Sequence, residues 1–126
     1  MGLLAKLRGR QSRTEQQRTG DAGEDLALAY LQRHGLVLVE RNFLRKGGEI
    51  DLVMQAPGSL VFVEVRQRAT ARHGGAAASI TPAKQRRLVV AAQLYLQRYR
   101  HPPACRFDVV AIDGTVITWL QNVIDS

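Results

Sequence analysis

The sequence predicts an α/β fold: a mixed five-stranded sheet flanked by helices, in the order αβββαββ. Three observations carry this reading. Two segments repeat their apolar residues at helical spacing, five shorter ones are β-branched and alternating or continuously apolar, and each is bounded by cap or turn residues. A chain of 126 residues can bury a core as one domain and is too short for two.

The first helix is expected over residues 22–34, because "TGDAGEDLALAYLQRHG" sets Asp21 three residues before Glu24 in a capping-box pattern and ends at Gly35. "LVLVERNFL", "GEIDLVMQ" and "SLVFVEVRQR" read as three strands in a meander, the last two joined by the turn Ala56-Pro57-Gly58-Ser59. "ATARHGGAAAS" is small and Gly-rich, so a mobile loop able to cover a site is expected there. Thr81 as N-cap and Pro82 at the first helical position open a second helix through "AKQRRLVVAAQLYLQRY", which stops before His101-Pro102-Pro103. "CRFDVVAI", Asp113-Gly114 and "TVITWL" close the domain as a hairpin.

Eighteen Lys and Arg against eleven Asp and Glu give a net charge of +7, a surplus that points to a polyanion such as nucleic acid. It is concentrated in residues 1–19, where Lys6, Arg8, Arg10, Arg13 and Arg18 face Glu15 alone. This arm reads either as a solvated flexible tail or as an amphipathic, nucleic-acid-binding segment. Its apolar stretch is too short for a signal-peptide core, and no later run approaches membrane-spanning length, so a soluble cytoplasmic protein with no membrane partner is expected. The single cysteine, Cys105, excludes an intramolecular disulfide and a Cys-based zinc site; it is read as a core thiol.

The second and third strands carry Glu49, Asp51 and Glu64 among Val, Ile and Leu. A turn centred between Pro57 and Gly58 pairs residues whose numbers sum to 115, setting Asp51 opposite Glu64 and Glu49 opposite Arg66. Alternation then puts Glu49, Asp51, Val53, Phe62, Glu64 and Arg66 on one face, and Ile50, Leu52, Met54, Val61, Val63 and Val65 on the other, which is the core face. Like charges directly opposite destabilise a sheet. A raised pKa, salt bridges to Arg45, Arg66 and Arg68, or a divalent cation between the carboxylates would each offset the repulsion.

On the first helix Glu24 falls between Leu28 and Leu31, on the apolar stripe reckoned from Leu26; on the second, Lys84 falls among Leu88, Ala91 and Tyr95. Glu24 has a bland role as the capping-box acid and Lys84 as a residue that snorkels to water. Two lone charges turned toward the sheet beside an acid pair nevertheless point to a site.

Together, Glu24, "GEIDLV", "VFVEVRQR", Lys84 and "RFDVVAI" are similar to the YraN-like family of small uncharacterised bacterial proteins. That family resembles the PD-(D/E)XK nuclease superfamily, above all its Holliday-junction resolvase branch. The likeness leaves residues 1–19 outside and implies a restriction-endonuclease-like domain over 20–126. It further implies that Asp51, Glu64 and the Val65 backbone carbonyl hold Mg²⁺ or Mn²⁺, with Glu24, Arg66 and Lys84 completing the catalytic set. Arg66, Arg68, Lys84 and the arm residues Arg8, Arg10 and Arg13 would contact DNA, and a homodimer would be usual. Hard oxygen donors suit such a cation, which activates water and neutralises charge on a phosphate.

One departure stands out. The superfamily places Lys where this chain has Arg66, and a guanidinium does not deprotonate in proteins, so it cannot be a general base; it can still bind a phosphate. The function implied is therefore metal-dependent phosphodiester hydrolysis of DNA, branched or junction DNA included. The alternative is a non-catalytic nucleic-acid-binding protein that kept the scaffold, and a third reading is a protein-interaction module with a salt-bridged acidic face. His34, His73 and His101 are scattered and read as helix-end and loop residues; Asp108 reads as a cap or pairing residue of the last hairpin, and Trp119 as edge-strand packing.

Overall fold

Five β-branched, apolar segments line up as one sheet in the order β1-β2-β3-β4-β5, with β1 (Val37–Arg45), β2 (Gly48–Ala56), β3 (Ser59–Arg68), β4 (Cys105–Asp113) and β5 (Val116–Leu120). Every neighbouring pair is antiparallel except β3–β4, which is parallel. A parallel pair needs a crossover. Here it is supplied by two short 3₁₀ turns and helix α2 (Pro82–Leu96). The computed structural model describes residues 15–70 and 72–124, with side chains from residue 21 onward except that of His73; the expected arm contacts Arg8, Arg10 and Arg13 lie outside the described residues. Among the described residues no helix is long and apolar enough to cross a membrane.

The mixed sheet, the meander and the Thr81 cap are as expected: the Thr81 hydroxyl accepts the N–H of Lys84 at 3.2 Å. Helix α1 differs. It extends back to Glu15 and runs to Arg33, so Asp21 lies inside the helix and Glu24 has no capping-box role. Leu26, the reference for the apolar stripe, is 49% exposed. The stripe centres instead on Gly23, Ala27 and Leu31, one residue every turn, with Glu24 and Leu28 on its flank.

Both faces of the sheet are buried, not one. Against α1 lie Leu52, Met54, Val61, Val63, Val110 and Ile112, packed on Ala27 and Leu31. Against α2 lie Phe43, Ile50, Val53, Phe62 and Phe107, packed on Leu88, Ala91 and Tyr95, whose ring meets Phe43 and Phe62 edge-on at 5.3 and 5.7 Å. Burial on both sides explains why β2 and β3 are almost continuously apolar. A third, smaller cluster forms where Ala76 covers Val109 and Ala111. The segment expected to be a mobile loop is thus built from 3₁₀ turns at Arg72–Gly74 and Ala77–Ser79, tied down by the Asp113 Oδ1 that accepts the Ala76 N–H at 2.7 Å. Cys105, read as a core thiol, is exposed at the start of β4.

Helix α2 approaches the sheet most closely at Gly48. A Cβ there would sit 2.7 Å from the Ala91 nitrogen and 2.8 Å from the Arg87 carbonyl, both backbone atoms that cannot swing aside. Gly48→Ala is expected to cost about 2 kcal/mol by overpacking, measured as a lower thermal midpoint. A wild-type midpoint would mean that α2 can step back freely.

Candidate active site

The expected register of the β2–β3 hairpin is observed: Leu52 pairs with Val63, Val53 with Phe62 and Met54 with Val61. Beyond Leu52 and Val63 the ladder stops, and the Asp51 carboxylate fills the opening, its Oδ2 accepting the N–H of Val65 at 2.7 Å. On the other side of β2, Arg41 and Phe43 pair with Leu52 and Ile50, and between them Asn42 adopts φ +53°, a left-handed conformation that asparagine tolerates better than most residues. This local kink breaks the side-chain alternation. Ile50 packs on the α2 side and Leu52 on the α1 side, so the expectation that they share a face does not hold. Asp51, between them, sits where the two faces meet.

That placement lets helices on opposite faces contribute to one cluster. Glu24 comes from α1 and feels the charge of Asp51. Asp51 and Glu64 are close enough to share a proton, and Glu49 lies within electrostatic reach of both. Lys84, from the first turn of α2, lies within electrostatic reach of Glu64. The sequence-derived residues Glu24, Asp51, Glu64, Arg66 and Lys84 are therefore brought together, with the Val65 backbone beside them.

Burial dominates the electrostatics. Glu64 is only 6% exposed; desolvation raises its pKa, Arg66 works against the rise, and Glu49 adds to it. For Asp51, burial and then the Glu64 charge push the pKa up to about 7, against the opposing hydrogen bond from Val65. Glu24 is raised by burial and by Asp51, while Arg41 and Asn42 pull it down. Two close carboxyls, both desolvated, resist ionising together.

The expected arginine neutralisation is partial. Arg66 Nη1 stands 3.6 Å from Glu64 Oε1, and its Nε donates to Ser79 Oγ at 2.8 Å. Ser79 in turn donates to the Ala76 carbonyl at 2.6 Å. Arg45 instead lies over the Phe43 ring, 4.1 Å from its centroid, and among the described residues Arg68 forms no ion pair with these acids; it lines a neighbouring cleft. Neither balances the acid pair. The residues that sequence reasoning missed are Ser79, which orients Arg66, and Arg41 and Asn42, which hold Glu24. Arg41 Nη2 is 3.4 Å from Glu24 and 2.9 Å from Asp25, and the Asn42 amide nitrogen, turned to the carboxylate, donates to both its oxygens at 3.1 and 3.2 Å. No local signal marks Ser79, which is eleven residues beyond the end of β3 in a segment that reads as loop, and none marks Asn42.

Two expectations about neighbouring residues hold. Asp108 belongs to the last hairpin: fully buried, it accepts from Arg106 Nε at 3.1 Å, Trp119 Nε1 at 2.9 Å and the Asn122 N–H at 2.9 Å. His34 caps the end of α1, its Nδ1 2.8 Å from the Tyr30 carbonyl.

As a donor set, Asp51 and Glu64 offer hard carboxylate oxygens. Among the described residues no three His, Cys, Asp or Glu side chains converge as a ready cage. The pair suits Mg²⁺, which keeps several waters and is commonly held by one or two carboxylates together with substrate phosphate.

The model of an uncharacterised protein family, UPF0102, matches residues 23–112, the span from α1 through β4. The chain is 64% identical over 117 residues to a UPF0102 protein of Herminiimonas arsenicoxydans, covering 93% of this chain and 94% of that protein. It is 62% identical over 126 residues, the whole of both chains, to one from Janthinobacterium sp. (strain Marseille), and 62% identical over 109 residues to one from Ralstonia pickettii (strain 12J).

Proposed function

The chain belongs to the UPF0102 family, the YraN-like family expected from its motifs, and we propose that it is a divalent-metal-dependent endonuclease acting on DNA, branched DNA included. The observation that carries the reading is the buried pair Asp51–Glu64, held together at a break in the sheet although burial raises both pKa values and the Glu64 charge raises that of Asp51 further. A fold selected for stability alone would replace such a pair with apolar residues. A cation is the partner that would turn the pair from a liability into a site. The resemblance to PD-(D/E)XK nucleases and the basic surplus of the chain support phosphodiesters as the substrate.

A bound Mg²⁺ or Mn²⁺ would supply Lewis-acid neutralisation of charge developing on the scissile phosphate. The chain's own residues prepare that position. The Val65 N–H fixes the Asp51 carboxylate through Oδ2, leaving Oδ1 as its remaining acceptor. Ser79 holds Arg66 through Nε, so the guanidinium edge is pre-oriented toward a phosphate oxygen rather than sampling rotamers. Lys84, beside Glu64, adds a second cation that can donate to the phosphate or to water. Glu24, whose pKa is raised, presents a third carboxyl on the opposite side of Asp51.

A labelled four-way junction or flap should be cut in Mg²⁺ or Mn²⁺, and Asp51→Asn and Glu64→Gln should each lose at least about 100-fold of that activity, the scale of removing a major transition-state electrostatic contact. Retained cutting in both variants would sink the assignment. Arg66 favours a second reading, a nucleic-acid-binding protein without catalysis, since it cannot serve as a base. That reading wins if the protein binds DNA with a log-log salt slope of about −0.9 per neutralised phosphate and cuts nothing.

A further inference from the structure

Immediately past Arg66, the end of β3 and the 3₁₀ segment enclose a cleft of about 390 Å³ lined by Arg68, Thr70, Arg72, Gly75 and Ser79. Arg68 and Arg72 are exposed, and among the described residues neither is engaged by a carboxylate. Asp113, opposite Arg68 in the ladder, accepts the Ala76 N–H through Oδ1, and its carboxylate borders the cleft at Gly75, so the two arginines must outweigh one acid there. Thr70 Oγ1 accepts the Arg72 N–H at 3.4 Å, and a hydroxyl that accepts keeps its own proton as a donor.

Two arginines and a threonine lining one concave space match a tetrahedral oxyanion, since guanidinium forks pair with phosphate oxygens bidentately. Ser79 belongs to both places: it lines this cleft and accepts from Arg66. We propose that the cleft is a phosphate subsite, taking a nucleic-acid phosphate next to the one held by Arg66, with Ser79 as the positioning residue that couples the two. This rests on the nuclease reading for the identity of the ligand, but the subsite itself needs no metal and no cleavage. The phosphate is either a diester within a strand or a terminal monoester; both present the same oxygens.

The test uses the full chain in EDTA, so that cleavage plays no part. Inorganic phosphate titrated into ¹⁵N-labelled protein should shift the amide signals of Thr70, Gly75 and Ser79, and the shifts should vanish in Arg68→Ala/Arg72→Ala, whose exposed positions leave the rest of the spectrum unchanged. A single-stranded oligonucleotide should bind this double variant at least about fivefold more weakly, with a salt slope smaller by about 0.7 per lost phosphate contact. If a 5′-phosphorylated strand loses affinity while its 5′-hydroxyl counterpart does not, the occupant is a terminal monoester. If both lose it equally, the occupant is a backbone diester. Ser79→Ala should keep the phosphate shifts but move the Arg66 Nε resonance. Absent shifts, or shifts and affinities equal in wild type and double variant, would overturn the subsite. Failure of junction cutting with these effects intact would overturn only the nuclease reading.

Discussion

Asp51→Asn should stabilise the metal-free protein at pH 8, on the order of 2–3 kcal/mol, and should flatten the dependence of stability on pH. The wild-type Asp51 carboxyl, with its pKa pushed up to about 7 by burial and by Glu64, stays protonated in the folded chain over a range where an unfolded aspartate, with a pKa of about 3.9, has already ionised. The folded state then binds more protons than the unfolded state, so stability falls as pH rises from about 4 to about 7. Asparagine carries no charge at any pH, and its amide oxygen can still accept the Val65 N–H. Thermal melts in EDTA between pH 4 and pH 8 check both parts. Adding Mg²⁺ at pH 8 should raise the wild-type midpoint and leave that of Asp51→Asn unmoved, because a ligand that binds only the folded state stabilises it by mass action. A variant less stable than wild type at pH 8 would show that the acid pair is not under repulsion.

Asp108→Ala should cost about 3 kcal/mol, the scale of breaking a buried charged hydrogen-bond network. Asp108 is fully buried and is the single acceptor for three donors: Arg106, the Trp119 indole and the Asn122 backbone. Together these join β4, β5 and the chain beyond β5. Removing the carboxylate leaves the indole N–H and the Asn122 N–H without their acceptor, whereas Arg106 can turn to water. Asp108→Asn, which keeps one acceptor oxygen and loses the charge, should cost roughly half as much. Urea unfolding followed by Trp119 fluorescence reads the change as a lower midpoint at constant slope; a loss below about 1 kcal/mol would mean that the network is not what fastens β5.

The acid pair and the Asp108 network differ in how far they could be foreseen. Register brought Asp51 and Glu64 close from sequence alone, because the turn fixes the pairs up to Leu52 and Val63, which obey the expected sum; the ladder parts there, so the two acids are neighbours past its end and not a ladder pair. Glu24 and Lys84 were found by helical periodicity, even though Leu26 was the wrong reference, since a shift of the stripe by part of a turn left Glu24 on its flank. Asp108 was legible as a hairpin residue but not as the receiver of three donors, two of which lie more than ten positions away in sequence.

What the sequence determined by itself is whatever depends on short-range periodicity and turn chemistry: the five strands, the Thr81 cap of α2, the β2–β3 register, and the presence of acids at 24, 51 and 64. What only the tertiary structure decided depends on how the faces meet. Both sides of the sheet are covered, because the β3–β4 crossover carries α2 to the face opposite α1. The left-handed Asn42 and the parting of β2 from β3 break the alternation, so Asp51 stands between the faces and acids from both can gather around it. Ser79 reaches Arg66 only because the segment before α2 folds back over β4. Such contacts join residues far apart in the chain, and neither the 3.6-residue nor the two-residue repeat records them.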